Sequence, residues 1–237
     1  MKFRTAVATA VAATAAVLAV GAAPANAATA AKVNPQLSLT ASTLNAVDGQ
    51  TITLTAHLGK TASNRTVSIY RSPAAEAANQ LVKAGKVDSS GNLRVSVWMG
   101  RNTGFTVKFA GDSGDNAASR SVYVHDAAVI KQSMQKPAYI NSGWNYFHST
   151  QPVIEQSQVY PSKAGKTVYF HVQQYYSGAW HNVGLQYSSA TLDANSSTWF
   201  GWKSIPAGIT LRFATTYNGD SLNTGSGYHW VYVKTVK

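Results

Sequence analysis

The sequence predicts an all-β protein: two tandem antiparallel β-sandwiches behind a cleaved leader. Three observations carry this. The tail of each half holds one phrase, Gly104-Phe105-Thr106-Val107-Lys108-Phe109-Ala110-Gly111-Asp112 in the first, and Gly208-Ile209-Thr210-Leu211-Arg212-Phe213-Ala214 running on to Gly219-Asp220 in the second. Each is followed by a strand-like run, Ser121-Val122-Tyr123-Val124 and Trp230-Val231-Tyr232-Val233. Between them lie short segments in which every second residue is apolar, so that one face is buried and one is wet.

Residues 1–27 read as a signal peptide. Lys2 and Arg4 form a basic start, 6–22 an apolar run, and Ala25-Asn26-Ala27 a small-x-small cleavage site. The stretch 28–35 is expected to be a flexible lead-in. The first sandwich is placed at 36–127. Its alternating runs include Leu37-Ser38-Leu39, Ile52-Thr53-Leu54, Val67-Ser68-Ile69 and Val95-Ser96-Val97, separated by turn residues such as Asp48-Gly49 and Asp88-Ser89-Ser90-Gly91. Ala74 to Ala78 has helical character but is too short for more than a turn. The pattern breaks at 128–139, expected to be a linker, and an aromatic-rich second sandwich follows at 140–237. Three landmarks recur in order in both halves. They are a Thr-Val pair (Thr66-Val67, Thr167-Val168), an Asp-led turn (Asp88, Asp193) and the Gly-Asp phrase.

The phrases FTVKFAGDSGDNAASRSVYV and LRFATTYNGDSLNTGSGYHWVYV resemble the last two strands of bacterial immunoglobulin-like repeats, which are common in secreted and surface proteins of Gram-positive bacteria. The segment VYFHVQQYYSGAWHNVG is similar to the mid-domain hairpin of the same modules. The resemblance covers roughly 36–126 and 140–236. The second half departs from it in four extra residues between Ala214 and Gly219 and in its aromatics. The resemblance implies a non-enzymatic immunoglobulin-like sandwich used for adhesion, spacing or carbohydrate contact, and it supplies no catalytic residue.

Composition narrows the function further. Cysteine is absent, which excludes thiolate nucleophiles, zinc–thiolate sites and disulfide bracing. The chain is formally +11, and the excess is spread over both halves without a basic cluster. Such a surface favours anionic polymers. For a secreted protein the expected partners are a polysaccharide or an anionic wall polymer, or a surface protein, and not nucleic acid; no cofactor is expected.

Four catalytic or metal-binding readings fail on residue count or context. His57, Asp88 and Ser113 follow the chain order of a trypsin-like triad, but would share one small sandwich. Gly111-Asp112 is better read as a turn, because Gly219-Asp220 repeats it. Asp112 and Asp115 are too few acids for calcium. Glu155, Asp193 and Asp220 are poor candidates for paired glycosidase carboxylates. The six histidines are scattered; a hairpin at 175–180 allows His171 and His181 to face each other, but two ligands without a third do not make a zinc site.

The aromatics are the most informative residue class. Five of the six tryptophans fall in the second half, more than one sandwich core needs. Exposed flat rings stack on sugar faces or anchor a protein partner. The candidate contact residues are Tyr175, Tyr176, Trp180, Trp199, Trp202 and Tyr217. A coplanar row or cleft of such rings on one sheet face, with Asn, Gln or His beside it, marks sugar binding. Dispersed or covered rings mark a spacer.

Overall fold

The computed structural model describes residues 31–237 apart from 186, 187 and 204, so the expected signal peptide lies outside the described residues. All regular secondary structure among them is β. The first half forms β1 (Leu37–Ala41), β2 (Asn45–Val47), β3 (Thr51–Leu58), β4 (Thr66–Pro73), β5 (Gln80–Lys86), β6 (Asn92–Trp98), β7 (Thr103–Phe109) and β8 (Ala118–Ala127). These make one sheet of order β1-β3-β6 and another of order β2-β8-β7-β4-β5. The second half forms β9 (Val129–Met134), β10 (Tyr139–Asn141), β11 (Trp144–His148), β12 (Val153–Tyr160), β13 (Thr167–Tyr176), β14 (Ala179–Asn182), β15 (Ser189–Thr191), β16 (Ser197–Trp202), β17 (Thr210–Thr216) and β18 (Val231–Val236). Its sheets run β16-β12-β9 and β10-β11-β18-β17-β13-β14, with β15 also on β13.

Both halves follow one plan. The first strand, β1 or β9, edges the small sheet. The chain then crosses over and lies parallel to the last strand of the large sheet, β2 on β8 and β11 on β18. The remaining core of that sheet, β8-β7-β4 or β18-β17-β13, is antiparallel. This strand order is that of an immunoglobulin-like sandwich. The three sequence landmarks coincide with it. The Thr-Val pairs open β4 and β13. Asp88 Oδ1 accepts the N–H groups of Ser90 and Asn92, and Asp193 Oδ1 those of Asn195 and Ser197.

The Gly-Asp phrases also match in space. Gly111 and Gly219 hold φ of +83° and +91°, and a Cβ on either would meet backbone at 2.8 Å or less, so only glycine fits. Asp112 Oδ1 accepts the N–H groups of Gly114 and Asp115, and Asp220 Oδ1 those of Leu222 and Asn223. The backbone N–H groups of Ser63 and Asn64, reinforced by those of Gly114 and Asp115, hold the Asp112 carboxyl well below the usual range despite some desolvation.

Two segments depart from expectation. Lys32 to Asn34, assigned to a flexible lead-in, are tied to the Gly111–Asn116 loop. Val33 donates to the Gly114 carbonyl and accepts from Asn116 N–H, each at 2.8 Å. The linker expected at 128–139 is largely strand. Only Ala128 separates β8 from β9, and β9 pairs with β12 along its length. The inward residues Ala128, Ile130, Gln132 and Met134 keep a period of two. Gln132 hides it in the sequence, because its amide lies inside to meet Glu155 at 2.6 Å.

The first sandwich has one continuous core, including Leu54, Ile69, Phe105, Val107 and Val124. The second has two apolar clusters, one around Phe147, Val153, Phe213 and Val233, the other around Ile130, Val159, Val168 and Tyr217. A polar layer lies between them. Along β12 the inward residues run Val153, Glu155, Ser157, Val159, and along β17 Leu211, Phe213, Thr215. Glu155 Oε1 accepts from Gln132, Ser157 and Thr215, while Oε2 has no partner. Burial raises the Glu155 carboxyl, against those three hydrogen bonds.

The sandwiches join through a buried polar seam. Thr224 and the backbone of 126–128 exchange hydrogen bonds, and Asn102 N–H donates to the Leu222 carbonyl. Asn223 donates to Asp126 Oδ2 at 2.8 Å, and its Oδ1 accepts from Lys163 Nζ at 2.7 Å. Lys163 also pairs with Asp220 at 3.0 Å. Burial, then the neighbouring Asp48 charge, push the Asp126 carboxyl up to about 6 against the pull of Asn223 and Lys163.

Candidate functional site

Two tight turns build an aromatic surface on the second sandwich. Ser142-Gly143 and Ser177-Gly178 all have positive φ, between 49° and 81°. That is the geometry of a two-residue hairpin whose twist matches its strands. The first turn places Trp144 at the start of β11, and the second makes Tyr175 and Trp180 direct cross-strand partners. Both hairpins belong to the large sheet of the second sandwich and present these rings on its outer face.

Strand register then assembles the rest. Trp144 lies opposite Tyr232, Tyr232 opposite Arg212, Arg212 opposite Gln173, and Gln173 opposite Asn182. Ring centroids step from Trp144 to Tyr232 (5.0 Å), Tyr232 to Trp180 (6.0 Å) and Trp180 to Tyr175 (5.2 Å). The planes are tilted by 50–59° to one another, giving a cleft in place of a flat row. Tyr139 stacks on Tyr146 at the sheet edge (4.3 Å), and Tyr228 lies beside both Trp230 and His171. Burial lowers the His171 pKa, and its Nε2 lies 2.8 Å from Thr216 Oγ1.

Two cations are set into this surface. The Arg212 guanidinium is clamped between the indoles of Trp180 and Trp230, 4.5 and 4.3 Å from their centroids. It donates to Gln173 Oε1, from Nε at 2.7 Å and also from Nη2. Lys234 Nζ sits 4.6 Å from the Trp144 ring centre. All three distances fall in the range of cation–π attraction. Trp144, Tyr175, Trp180, Thr210 and Lys234 line a cavity of about 410 Å³. A larger cavity, about 550 Å³, lies on the first sandwich, but its walls are mostly small residues such as Thr66, Ser68, Ala117 and Ser119, with Tyr70 and Lys108. It offers two rings, Tyr70 and the buried Phe109, where the cleft of the second sandwich is lined by three.

The structure divides the residues singled out from the sequence. Tyr175 (45% exposed) and Trp180 join the cleft. Tyr176 is exposed but points to the other side of the hairpin, where it stacks on His181 at 3.9 Å. His171 and His181 therefore lie on opposite faces and do not pair. Trp199 is 69% exposed, yet it belongs to β16 in the opposite sheet, where its indole covers the open Cα of Gly201. Trp202, also on β16, packs against the core. Tyr217 is 4% exposed and belongs to the core, because the β17 alternation ends there with several consecutive residues buried. The same surface includes Trp144, Arg212, Tyr228, Trp230, Tyr232 and Lys234, which are not among the candidates read from the sequence. Their signal was the spacing of two in Trp230, Tyr232 and Lys234, and the Ser-Gly turn shared by Trp144 and Trp180.

The residues of the catalytic readings have other work. His57 Nδ1 lies 3.1 Å from Asn92 Oδ1, Asp88 caps its turn, and Ser113 is exposed in the Gly111–Asn116 loop. Glu155 is 1% exposed inside the core. Asp115 Oδ2 accepts Ala62 N–H at 2.7 Å, so the Asp112–Asp115 loop spends its carboxylates on backbone donors. Among the described residues no helix is long and apolar enough to cross a membrane.

No family model and no curated protein matches the sequence. Solved structures with a similar course of the chain include the fibronectin(III)-like modules of Clostridium thermocellum CbhA, at 12% identity and a TM-score of 0.29, covering 84% of this chain and 94% of that one. The BSP domain of a biofilm associated protein aligns at 15% identity and a TM-score of 0.26, over 86% of this chain and 29% of that one. A titin I-band fragment aligns at 12% identity and a TM-score of 0.36, over 86% of this chain and 66% of that one. At these scores the likeness adds nothing to the strand order, which by itself defines the immunoglobulin-like sandwiches.

Proposed function

We propose that this is a secreted, non-catalytic contact protein whose second sandwich binds a polysaccharide and whose first sandwich acts as a spacer. The observation that carries this reading is the Trp144–Tyr232–Trp180–Tyr175 cleft on one sheet face, with Gln173, Asn182 and His171 beside it. Tilted rings in a shallow cleft offer apolar faces to the C–H faces of sugar rings. Beside them Gln173 bridges Arg212 and Asn182, and the Nδ2 group of Asn182 offers donors for hydroxyl groups. The equivalent face of the first sandwich is built differently. There Ser121 bonds Thr106 at 2.8 Å, and Ser121 occupies the place in the repeated phrase that Trp230 takes in the second half. That face still carries rings, Tyr123 beside His125 and Tyr70 beside Lys108, but not the joined cluster of the second sandwich, which supports a division into spacer and contact module.

Co-sedimentation with insoluble wall and plant polysaccharides tests this. The native protein is expected to pellet with at least one polymer, and Trp180→Ala to remain in the supernatant. Failure of the native protein to bind any polymer returns the molecule to a pure spacer or protein-adhesion role.

A further inference from the structure

We infer that the polysaccharide is acidic, with the anionic groups carried on its sugar rings as carboxylates; this rests on the glycan reading of the cleft given above. Lys234 is part of the cleft wall, with its ammonium against the Trp144 ring. Arg212 lies one strand away, its guanidinium faces covered by Trp180 and Trp230 and one edge held by Gln173. Gln173 is a neutral acceptor and leaves the charge uncompensated. The ion pairs among the described residues are Arg101–Glu76 and Lys163–Asp220, and neither involves these two cations.

The acids of the second sandwich are all committed elsewhere. Glu155 is in the core, Asp193 caps its turn and Asp220 holds Lys163. The cleft and its border thus carry two positive charges, Lys234 in the wall and Arg212 beside it, against aromatic faces and with no ion pair to a carboxylate among the described residues. A neutral sugar accepts hydrogen bonds from these groups but does not neutralise their charge. A ring bearing a carboxylate uses both features at once: its flat face meets an indole, and its acid meets Lys234 or the free edge of Arg212 in a charge-assisted hydrogen bond. A polyol phosphate offers charge without a flat ring. Single-stranded nucleic acid offers both, but its phosphates call for a basic track along the strand. Here the two cations sit within one ring cluster.

The test is affinity electrophoresis of the full chain through gels holding polygalacturonate, alginate or hyaluronate, each beside its carboxyl-reduced form. At least one acidic polymer is expected to bind about tenfold more tightly than its reduced partner, with the preference falling in high salt. Lys234→Gln removes that preference and Lys234→Arg restores it, with thermal melts confirming that both variants fold. Equal retardation by acidic and reduced forms overturns the acidic assignment and leaves the glycan reading standing. Retardation by none of these and by no neutral polysaccharide overturns the glycan reading itself. Tighter binding of a single-stranded thymidine oligonucleotide, lost in Trp180→Ala, overturns the choice of ligand.

Discussion

Asn223 of the second sandwich donates its side-chain amide to the Asp126 carboxylate of the first at 2.8 Å, and both residues are completely buried. The same amide reaches the Gly100 carbonyl, and Asn223 Oδ1 receives Lys163. One side chain thus satisfies groups from both sandwiches, which makes their joint a fixed corner. Asn223→Ala leaves Asp126 and Lys163 each short of a partner in the interior. It is expected to destabilise the protein by about 2–4 kcal/mol, measured by denaturant titration, and to separate a shared thermal transition into two in calorimetry. An unchanged midpoint contradicts this account of the seam.

Stability should fall as pH rises through the Asp126 range. Its ordinary value is 3.8 and the folded value about 6. The folded state therefore holds the proton more tightly, and the stabilisation present below 3.8 is lost as pH climbs to about 6 and above. The loss is up to about 3 kcal/mol for a shift of this size. Asp48 and Glu155, also raised chiefly by burial, act in the same sense, and His171, lowered by burial, opposes them near neutrality. Asp126→Asn keeps an acceptor for Asn223 and removes the charge facing Asp48. Urea titrations from pH 4 to 7 should show a smaller slope of stability with pH in that variant than in the native chain.

Glu155→Gln preserves an acceptor for Gln132, Ser157 and Thr215 without a charge to bury. It is expected to raise stability by about 1–3 kcal/mol at pH 8 and to give no gain at pH 4, where the native carboxyl is already protonated. Equal effects at the two pH values would show that Glu155 is not the titrating group.

Gly178→Ala tests the hairpin that delivers the Tyr175–Trp180 pair. Gly178 has φ +81° and open space around it, so the penalty is one of backbone conformation alone. The expected loss is about 1 kcal/mol, with weaker polysaccharide retention as the turn relaxes. Gly184→Ala, also in open space but without positive φ, serves as the neutral control.

Much of the fold was legible because alternation and turn chemistry act locally. The Thr-Val pairs, the Asp-led turns and the two Gly-Asp loops all occupy equivalent places in the two sandwiches. What misled was polarity at inward positions. Gln132 disguised β9 as a linker because its partner, Glu155, is distant in sequence. The contact face was legible only in part, for a similar reason. Tyr175 and Trp180 stand out as neighbours of a Ser-Gly turn. Trp199 looks the same on paper, but the strand order sends β16 to the other sheet. Arg212 and Lys234 read as ordinary surface cations until register places them among Trp144, Trp180 and Trp230.

The most direct measurement is tryptophan fluorescence titrated with whichever polysaccharide co-sediments with the native protein, repeated in Trp180→Ala, Tyr232→Ala and Trp199→Ala. The cleft predicts that the first two variants lose at least about tenfold in affinity, while Trp199→Ala binds as the native chain does despite removing the more exposed indole. Undiminished binding in Trp180→Ala and Tyr232→Ala, or an equal loss in Trp199→Ala, would contradict it.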